Sequence, residues 1–277
     1  MFRFIASLTF AVALISGPLR AQVADEARVD TLFDALGMPQ IIDVMREEGL
    51  SYGESLAVEM LPGGPSDEWN RAVSAIYDVE MMQQDVRRAF GDAIEGADID
   101  AILAFFTSAQ GEQIVALEVS ARRALLDEAI EEASRENAVI AMTDETPRYL
   151  LIRDFVTVND LIEANVVGSL NSSYAFYMGL IDGGAMPAGV TPEIALQDVW
   201  AQEPQVRRDT IEWLYSFLLM AYQPLSDADL EAYVAFSQTQ AGQDLTNALF
   251  EAFSGLFDDI SRDLGLASSQ FMIIQEL

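Results

Sequence analysis

The stretch AIEGADIDAILAFFTSAQGEQI, residues 93–114, returns in the second half of the chain as PLSDADLEAYVAFSQTQAGQDL, residues 224–245. One offset of 131 residues (242 − 111) relates the glycine Gly111 in the first stretch to Gly242 in the second. Self-similarity of this kind predicts that the chain contains two copies of one structural module. It favours duplication of a folded unit over a catalytic apparatus spread along one domain.

A weaker match upstream has a shorter offset of 120 residues (183 − 63). It pairs Asp34, Ile42, Leu50, Gly63 and Gly64 with Asp154, Ile162, Leu170, Gly183 and Gly184. The difference of about eleven residues indicates an insertion in the second copy, which we assign to GAMPAGVTPEIALQDVW, residues 184–200. Its two prolines predict a loop.

The apolar residues of both copies recur at steps of three and four, which is typical of amphipathic helices. One such stripe is Ile42, Met45, Gly49, Tyr52, Leu56 and Met60. The helix after Gly111 should bury Ile114, Leu117, Ala121, Leu125 and Ala129, and the helix after Gly242 should bury Leu245, Leu249, Phe253, Leu256 and Ile260. Ser66, Ser108 and Thr239 stand where a side-chain oxygen can cap a helix start. No β-strand alternation is evident.

The predicted fold class is therefore all-α, with two homologous helical-bundle domains that arose by internal duplication. The boundary falls near the polar segment MTDETPRY, residues 142–149. We assign the first repeat domain to residues 22–143 and the second to residues 146–277. Each is close to a common domain size, so we expect each half to fold alone.

The N-terminus, MFRFIASLTFAVALISGPLRAQ, has an early arginine, a short apolar run and then Gly17 and Pro18. This pattern predicts a secretory signal peptide, residues 1–21, with cleavage after Ala21. The apolar run is shorter than the roughly 20 residues that a membrane span requires. We therefore expect a soluble, exported protein without an integral membrane span.

The composition excludes several kinds of chemistry. The 277 residues include no histidine, no cysteine and no lysine, so all 15 basic residues are arginines. The commonest general base, the thiolate nucleophile, the Schiff-base amine and the usual zinc ligands are therefore missing. The 45 acidic residues give a net charge of −30, which disfavours nucleic acid as a partner. We predict no cofactor, no metal site and no catalytic residues.

Three segments resemble the bacterial exported family called domain of unknown function 2059. They are DALGMPQIIDVM (34–45), LAFFTSAQGEQIV (103–115) and YVAFSQTQAGQDLTNAL (233–249). That family usually has a serine-proline pair before the glycine of the last helix, and here Ala109 and Gln240 replace the proline. The resemblance implies a helical, signal-bearing protein of the Gram-negative envelope, and together with the predicted signal peptide it leads us to expect a location in the periplasm. It implies no activity and assigns no functional residues.

The most apolar stretch after the signal is TIEWLYSFLLMAY, from Thr210 to Tyr222. It is apolar on nearly every side, so it either fills a core or forms one wall of a ligand cavity, and the sequence leaves both open. Paired carboxylates are also frequent, namely Asp98 with Asp100, Asp227 with Asp229, and Asp258 with Asp259. Most of them stand at predicted helix starts, where capping explains them without catalysis.

These observations predict a non-catalytic protein that acts by binding, and the leading hypothesis is a protein partner in the cell envelope. The alternative is a carrier of a hydrophobic small molecule or lipid held between helices. A hydrolase that uses only carboxylates is the third hypothesis. A preformed apolar cavity near Trp213 would favour the carrier, and an exposed apolar patch would favour the protein partner.

Overall fold

The computed structural model describes residues 17–187 and 189–274, and the side chains of residues 26–187 and 189–272. The described chain is all-α and contains no β-strand, as predicted. Residues 1–16 of the predicted signal peptide lie outside the described part. The first half contains α1 (Gly17–Ala35), α2 (Met38–Met60), α3 (Asp67–Ile76), α4 (Val79–Ala93), α5 (Ile99–Phe106), α6 (Ala109–Ala124) and α7 (Glu128–Thr143).

The second half has a similar succession of helices. It contains α8 (Pro147–Val158), α9 (Leu161–Asp182), α10 (Pro192–Ala201), α11 (Glu203–Ala221), α12 (Asp227–Ser237) and α13 (Gln240–Ile274). None of the helices in the described part combines the length and the apolar character needed to cross a membrane.

The predicted helix caps are confirmed. The Ser66 hydroxyl accepts a hydrogen bond from the Trp69 amide at 3.1 Å, at the start of α3. The Ser108 hydroxyl does the same for the Gly111 amide, and the Thr239 hydroxyl for the Gly242 amide, both at 3.1 Å. Each bond satisfies one of the amides that a helix start leaves without a partner.

Two local predictions are wrong. The stripe from Ile114 to Ala129 does not belong to one helix, because α6 ends at Ala124 and α7 begins at Glu128. The Asp127 carboxylate accepts bonds from two amides at the start of α7, which explains why a new helix begins there. The predicted loop at residues 184–200 contains α10, since Thr191 caps it and Pro192 occupies the first turn, where a missing amide has no cost.

The two largest hydrophobic cores each combine residues from both halves. One core, around Trp69, joins buried residues 32–106 of the first half to the face of α13 that includes Leu245 and Leu264. The other, around Tyr222, joins Ile114 and Ala121 of α6 to α8, α11 and α12. The predicted boundary near residues 143–146 therefore does not separate two cores, and independent folding of the halves stays a prediction that the packing disfavours.

Candidate ligand cavity

A cavity of about 550 Å³ lies between the two halves. Binding sites for small molecules typically have volumes of roughly 300–1,000 Å³. Most of its wall comes from α6, α9, α11 and α13, and the lining is rich in aromatic side chains. The aromatic members are Phe106, Phe155, Trp213, Phe217, Tyr222, Tyr233, Phe236, Phe250, Phe253 and Phe257.

The segment from Thr210 to Tyr222 both lines this cavity and fills a core. Trp213 and Phe217 lie one turn apart on α11, and their rings stack with centroids 5.4 Å apart against the cavity. Tyr215 points elsewhere and is buried against Tyr149. The sequence left open whether this segment lines a cavity or fills a core, and in the structure one face of the helix does each.

Apart from Leu161, the wall formed by α9 consists of small or polar residues. It contributes Ala164, Asn165, Gly168, Ser169 and Ser172, and a Cβ at Gly168 would meet no atom within 4 Å. The small side chains of α9 leave the space that the aromatic residues of α11 and α13 surround.

The cavity reaches the surface, because two of its lining residues are exposed. Phe257 on α13 is 40% exposed, and Ser169 on α9 is exposed as well. The opposite end lies near Phe236 and Gly242, and the lining runs along α13 from Gly242 to Phe257. At a rise of 1.5 Å per residue, this wall is about 22 Å long.

Glu118 on α6 is the single carboxyl side chain among the described residues that line the cavity. The Tyr222 hydroxyl donates a hydrogen bond of 2.5 Å to its Oε1 atom, and the Tyr233 hydroxyl donates a longer one of 3.4 Å to the same atom. Tyr222 is almost completely buried. We call Glu118, Tyr222, Tyr233 and Arg122 the polar end of the cavity.

Burial raises the pKa of Glu118 to about 7, although the two tyrosine hydrogen bonds act in the opposite direction. Burial also raises the pKa of Tyr222 and of Tyr233, and the negative charge of Glu118 adds to both increases. Both tyrosines therefore stay protonated near neutral pH, whereas Glu118 exchanges between its neutral and ionised forms.

Arg122 also lines the cavity, one helical turn after Glu118. Its Nε atom donates to Oε1 of Glu48 at 3.0 Å, and its Nη2 atom donates to Oε2 of Glu48 at 2.8 Å. A two-bond pair of this kind holds the guanidinium in a fixed orientation. The charge of Arg122 is thus already matched by a carboxylate on α2.

The carboxylate pairs singled out in the sequence do not belong to the described lining of the cavity. Hydrolysis of a glycosidic bond generally requires two carboxyl groups on either side of it, and the described lining contains only Glu118. The predicted pairs lie elsewhere: Asp98 caps α5, and Asp229 lies in the first turn of α12. Asp258 accepts a hydrogen bond of 3.0 Å from Ser172, but does not line the cavity.

Sequence reasoning did not identify Glu118 as a site residue. A signal was present, because Glu118 lies four residues after Ile114 and three before Ala121, and therefore on the same side of the helix as these apolar residues. A carboxyl group on the apolar stripe of a helix is unusual unless it has a partner. The two tyrosines that supply that partner lie more than 100 residues away.

No protein-family model, curated protein or solved structure matches this chain. The resemblance to domain of unknown function 2059 therefore stays an expectation from the sequence.

Proposed function

We propose that this protein binds a hydrophobic small molecule in the cavity between its halves and acts as a carrier. The observation that supports this proposal is a cavity of about 550 Å³ that is lined by aromatic side chains and reaches the surface at Phe257. It is the preformed apolar cavity near Trp213 that favours the carrier over the protein partner.

Packing energetics support the same proposal. Protein interiors are normally close-packed, and an unfilled apolar cavity reduces stability because its lining atoms lose contacts. A ligand that occupied the space would restore those contacts and stabilise the folded state. The aromatic wall and the small side chains of α9 surround a volume that the described residues do not fill.

The protein-partner hypothesis stays a prediction with weaker support. Its main evidence is α10, where Leu196 and Trp200 lie one turn apart and are 42% and 53% exposed. Scattered exposed apolar residues are normal on a protein surface. The proposed location is the periplasm, on the basis of the predicted signal peptide at residues 1–21.

A dye-binding experiment with two glycine variants tests the carrier function. The probe is the uncharged apolar dye N-phenyl-1-naphthylamine, whose fluorescence increases in apolar surroundings. In the variant Gly168→Leu, a larger side chain is placed at a position that lines the cavity and where an added Cβ has no neighbour within 4 Å. We expect this variant to lose affinity for the dye by at least about tenfold, as the Leu occupies ligand space.

Gly255→Leu is the matched control. Gly255 is also a helical glycine whose Cβ would meet nothing, but it is exposed and lies outside the lining. We expect its affinity for the dye to equal that of the wild type. Equal binding by all three proteins would contradict the proposal, and so would native mass spectra of protein from its own cells that show the bare chain mass alone.

A further inference from the structure

We propose that the ligand is an amphiphile whose head group is a protonated amine, which binds Glu118 while its hydrocarbon tail fills the aromatic part of the cavity. This inference names the ligand class of the proposed carrier and rests on that function.

The hydrogen bonds at Glu118 leave one of its oxygen atoms for a ligand. Tyr222 and Tyr233 both donate to Oε1, and none of the hydrogen bonds made by the described residues ends on Oε2. Both tyrosine hydroxyls hold the carboxyl group in place from one side. An ammonium group, which carries only donors, complements the remaining acceptor.

The charges around the cavity disfavour an anionic head group. Arg122 is the single cation in the described lining, and its Nε and Nη2 atoms both donate to Glu48. A carboxylate or phosphate head group would compete with Glu48 for this guanidinium and would meet the carboxyl group of Glu118. The net charge of −30 attracts cations and repels anions at longer range.

The other helices around Glu118 bring no competing ionisable group. Tyr222 directly follows α11 and Tyr233 lies on α12, while the lining residues of α8, α9 and α13 are apolar, amide or hydroxyl side chains. On α6 itself, Arg122 is neutralised by Glu48 of α2. The ionisation of Glu118 is therefore the titration that an amine would sense.

This geometry predicts a pH dependence that differs between head groups. An ammonium ion pairs with the ionised carboxylate, so at acidic pH its binding must first remove the proton from Glu118. The affinity for an alkylamine should therefore fall by up to about tenfold per pH unit below the pKa of about 7. A fatty alcohol can bond to either form of the carboxyl group, and its affinity should change little.

The experiment measures displacement of N-phenyl-1-naphthylamine by decylamine, decanol and decanoate, each below its micelle-forming concentration and in roughly 0.15 M salt to screen the surface charge. With wild-type protein at about pH 7.5, we expect decylamine to bind at least about tenfold more tightly than decanoate. Between about pH 7 and pH 5.5, the decylamine affinity should fall by about tenfold or more, and the decanol affinity by less than about twofold.

Two variants on α6 assign the effect to one side chain. In Glu118→Gln, the decylamine affinity should fall by at least about tenfold and lose its pH dependence, whereas decanol should bind as before. Glu112→Gln removes one negative charge from the same helix at an exposed position, and all three affinities should be unchanged. A decline in both variants would mean that decylamine senses only the acidic surface, and the proposal would be wrong.

The two proposals fail in different ways. If the dye binds wild-type protein and not Gly168→Leu, but decylamine and decanoate displace it equally, the cavity binds ligands and the amine preference is wrong. If the dye binds wild-type protein and Gly168→Leu equally, the carrier function is wrong as well. The pH comparison uses wild-type protein, so it does not depend on the folding of any variant.

Discussion

The turn between α5 and α6 and the turn between α12 and α13 have the same construction but lead into different helices. We call them the first corner, residues 105–111, and the second corner, residues 236–242. In each, a hydroxyl caps the glycine amide three residues later at 3.1 Å. A Cβ added to either glycine would overlap a backbone carbonyl oxygen, that of Phe105 in the first corner and that of Phe236 in the second. The same short motif thus gives the same local geometry twice.

Beyond the corners, the two halves differ in how far the helix continues. After the first corner, α6 ends at Ala124 and α7 turns away to pack against α11. After the second corner, α13 runs unbroken to Ile274 and packs along α9 and α4. A corner can be specified by a few local contacts, whereas the length of a helix depends on the partners that cover it.

The corners also meet each other. Phe105 and Phe236, which the offset of 131 residues relates, stack with ring centroids 4.2 Å apart. Each of the two helices that follow the corners packs against a helix of the opposite half: α6 packs against α11, and α13 packs against α4. The contacts between the halves are therefore reciprocal. This reciprocity supports the proposal that the halves arose by duplication.

Both helices that leave the corners line the cavity, at related positions. Glu118 and Arg122 of α6 correspond by the offset to Leu249 and Phe253 of α13, and all four are lining residues. The first-half helix α6 therefore supplies the two charged residues of the polar end, and the second-half helix α13 supplies apolar residues at the corresponding positions. The proposed amphiphilic ligand would require this difference between a polar and an apolar part of the wall.

The largest expected effect follows from separating the halves. We expect neither half expressed alone, residues 22–143 or residues 146–277, to show a cooperative thermal transition by circular dichroism. The first half would lose α13, and the second half would lose α6, and each of these helices contributes to the core of the other half. Trp69, for example, packs edge-on against Phe271 of α13, with centroids 5.5 Å apart. Mixing the two pieces should restore a cooperative transition. A cooperative transition in either isolated half would restore the prediction of two independent domains.

The next largest effect is expected at the corner glycines. Gly111→Ala and Gly242→Ala should each lower the free energy of unfolding by about 4 kcal/mol, since the new Cβ meets backbone that cannot move aside cheaply. Gly255→Ala is the control and should raise stability by about 0.5–1 kcal/mol, because its Cβ meets nothing within 4 Å. Urea unfolding measures all three. Clearly unequal losses at Gly111 and Gly242 would break the correspondence of the corners.

Sequence reasoning predicted the features that depend on nearby residues. The all-α class and the caps at Ser66, Ser108 and Thr239 are confirmed, because spacing and capping are local properties. The break at Asp127 was missed because the apolar stripe continues through it. Glu118 was missed because its tyrosine partners come from distant helices that only the tertiary fold brings together.

The polar end of the cavity should reduce stability in a pH-dependent way. The pKa of Glu118 is about 7 in the folded protein, against an ordinary value of 4.5. Below pH 4.5 the carboxyl group is protonated in both the folded and the unfolded state, so it does not change the free energy of unfolding. Above pH 7 it is ionised in both states, and the free energy of unfolding is lowered by the full cost of ionising the buried group. This difference corresponds to about 3 kcal/mol. Glu118→Gln keeps an acceptor for Tyr222, so it should be nearly neutral at about pH 4.5 and stabilise by up to about 3 kcal/mol at about pH 8.

Thermal or urea unfolding at the two pH values measures this change in stability. Glu112→Gln, at an exposed position on the same helix, should show no such difference between them. An equal change in Glu118→Gln at both pH values would mean that the carboxyl group is not held in an apolar site.

The smallest effect is expected at the two capping hydroxyls, Ser108 of the first corner and Thr239 of the second. The Ser108 hydroxyl accepts from the Gly111 amide and donates to the Phe105 carbonyl at 2.6 Å, and the Thr239 hydroxyl makes the same two bonds in the second corner, with 2.7 Å to Phe236. Ser108→Ala and Thr239→Ala should each lower the free energy of unfolding by about 1 kcal/mol. The exchanges Ser108→Thr and Thr239→Ser should be almost neutral, since either hydroxyl can serve both bonds. If one corner tolerates alanine and the other does not, their shared geometry is maintained by packing at one site and by the cap at the other.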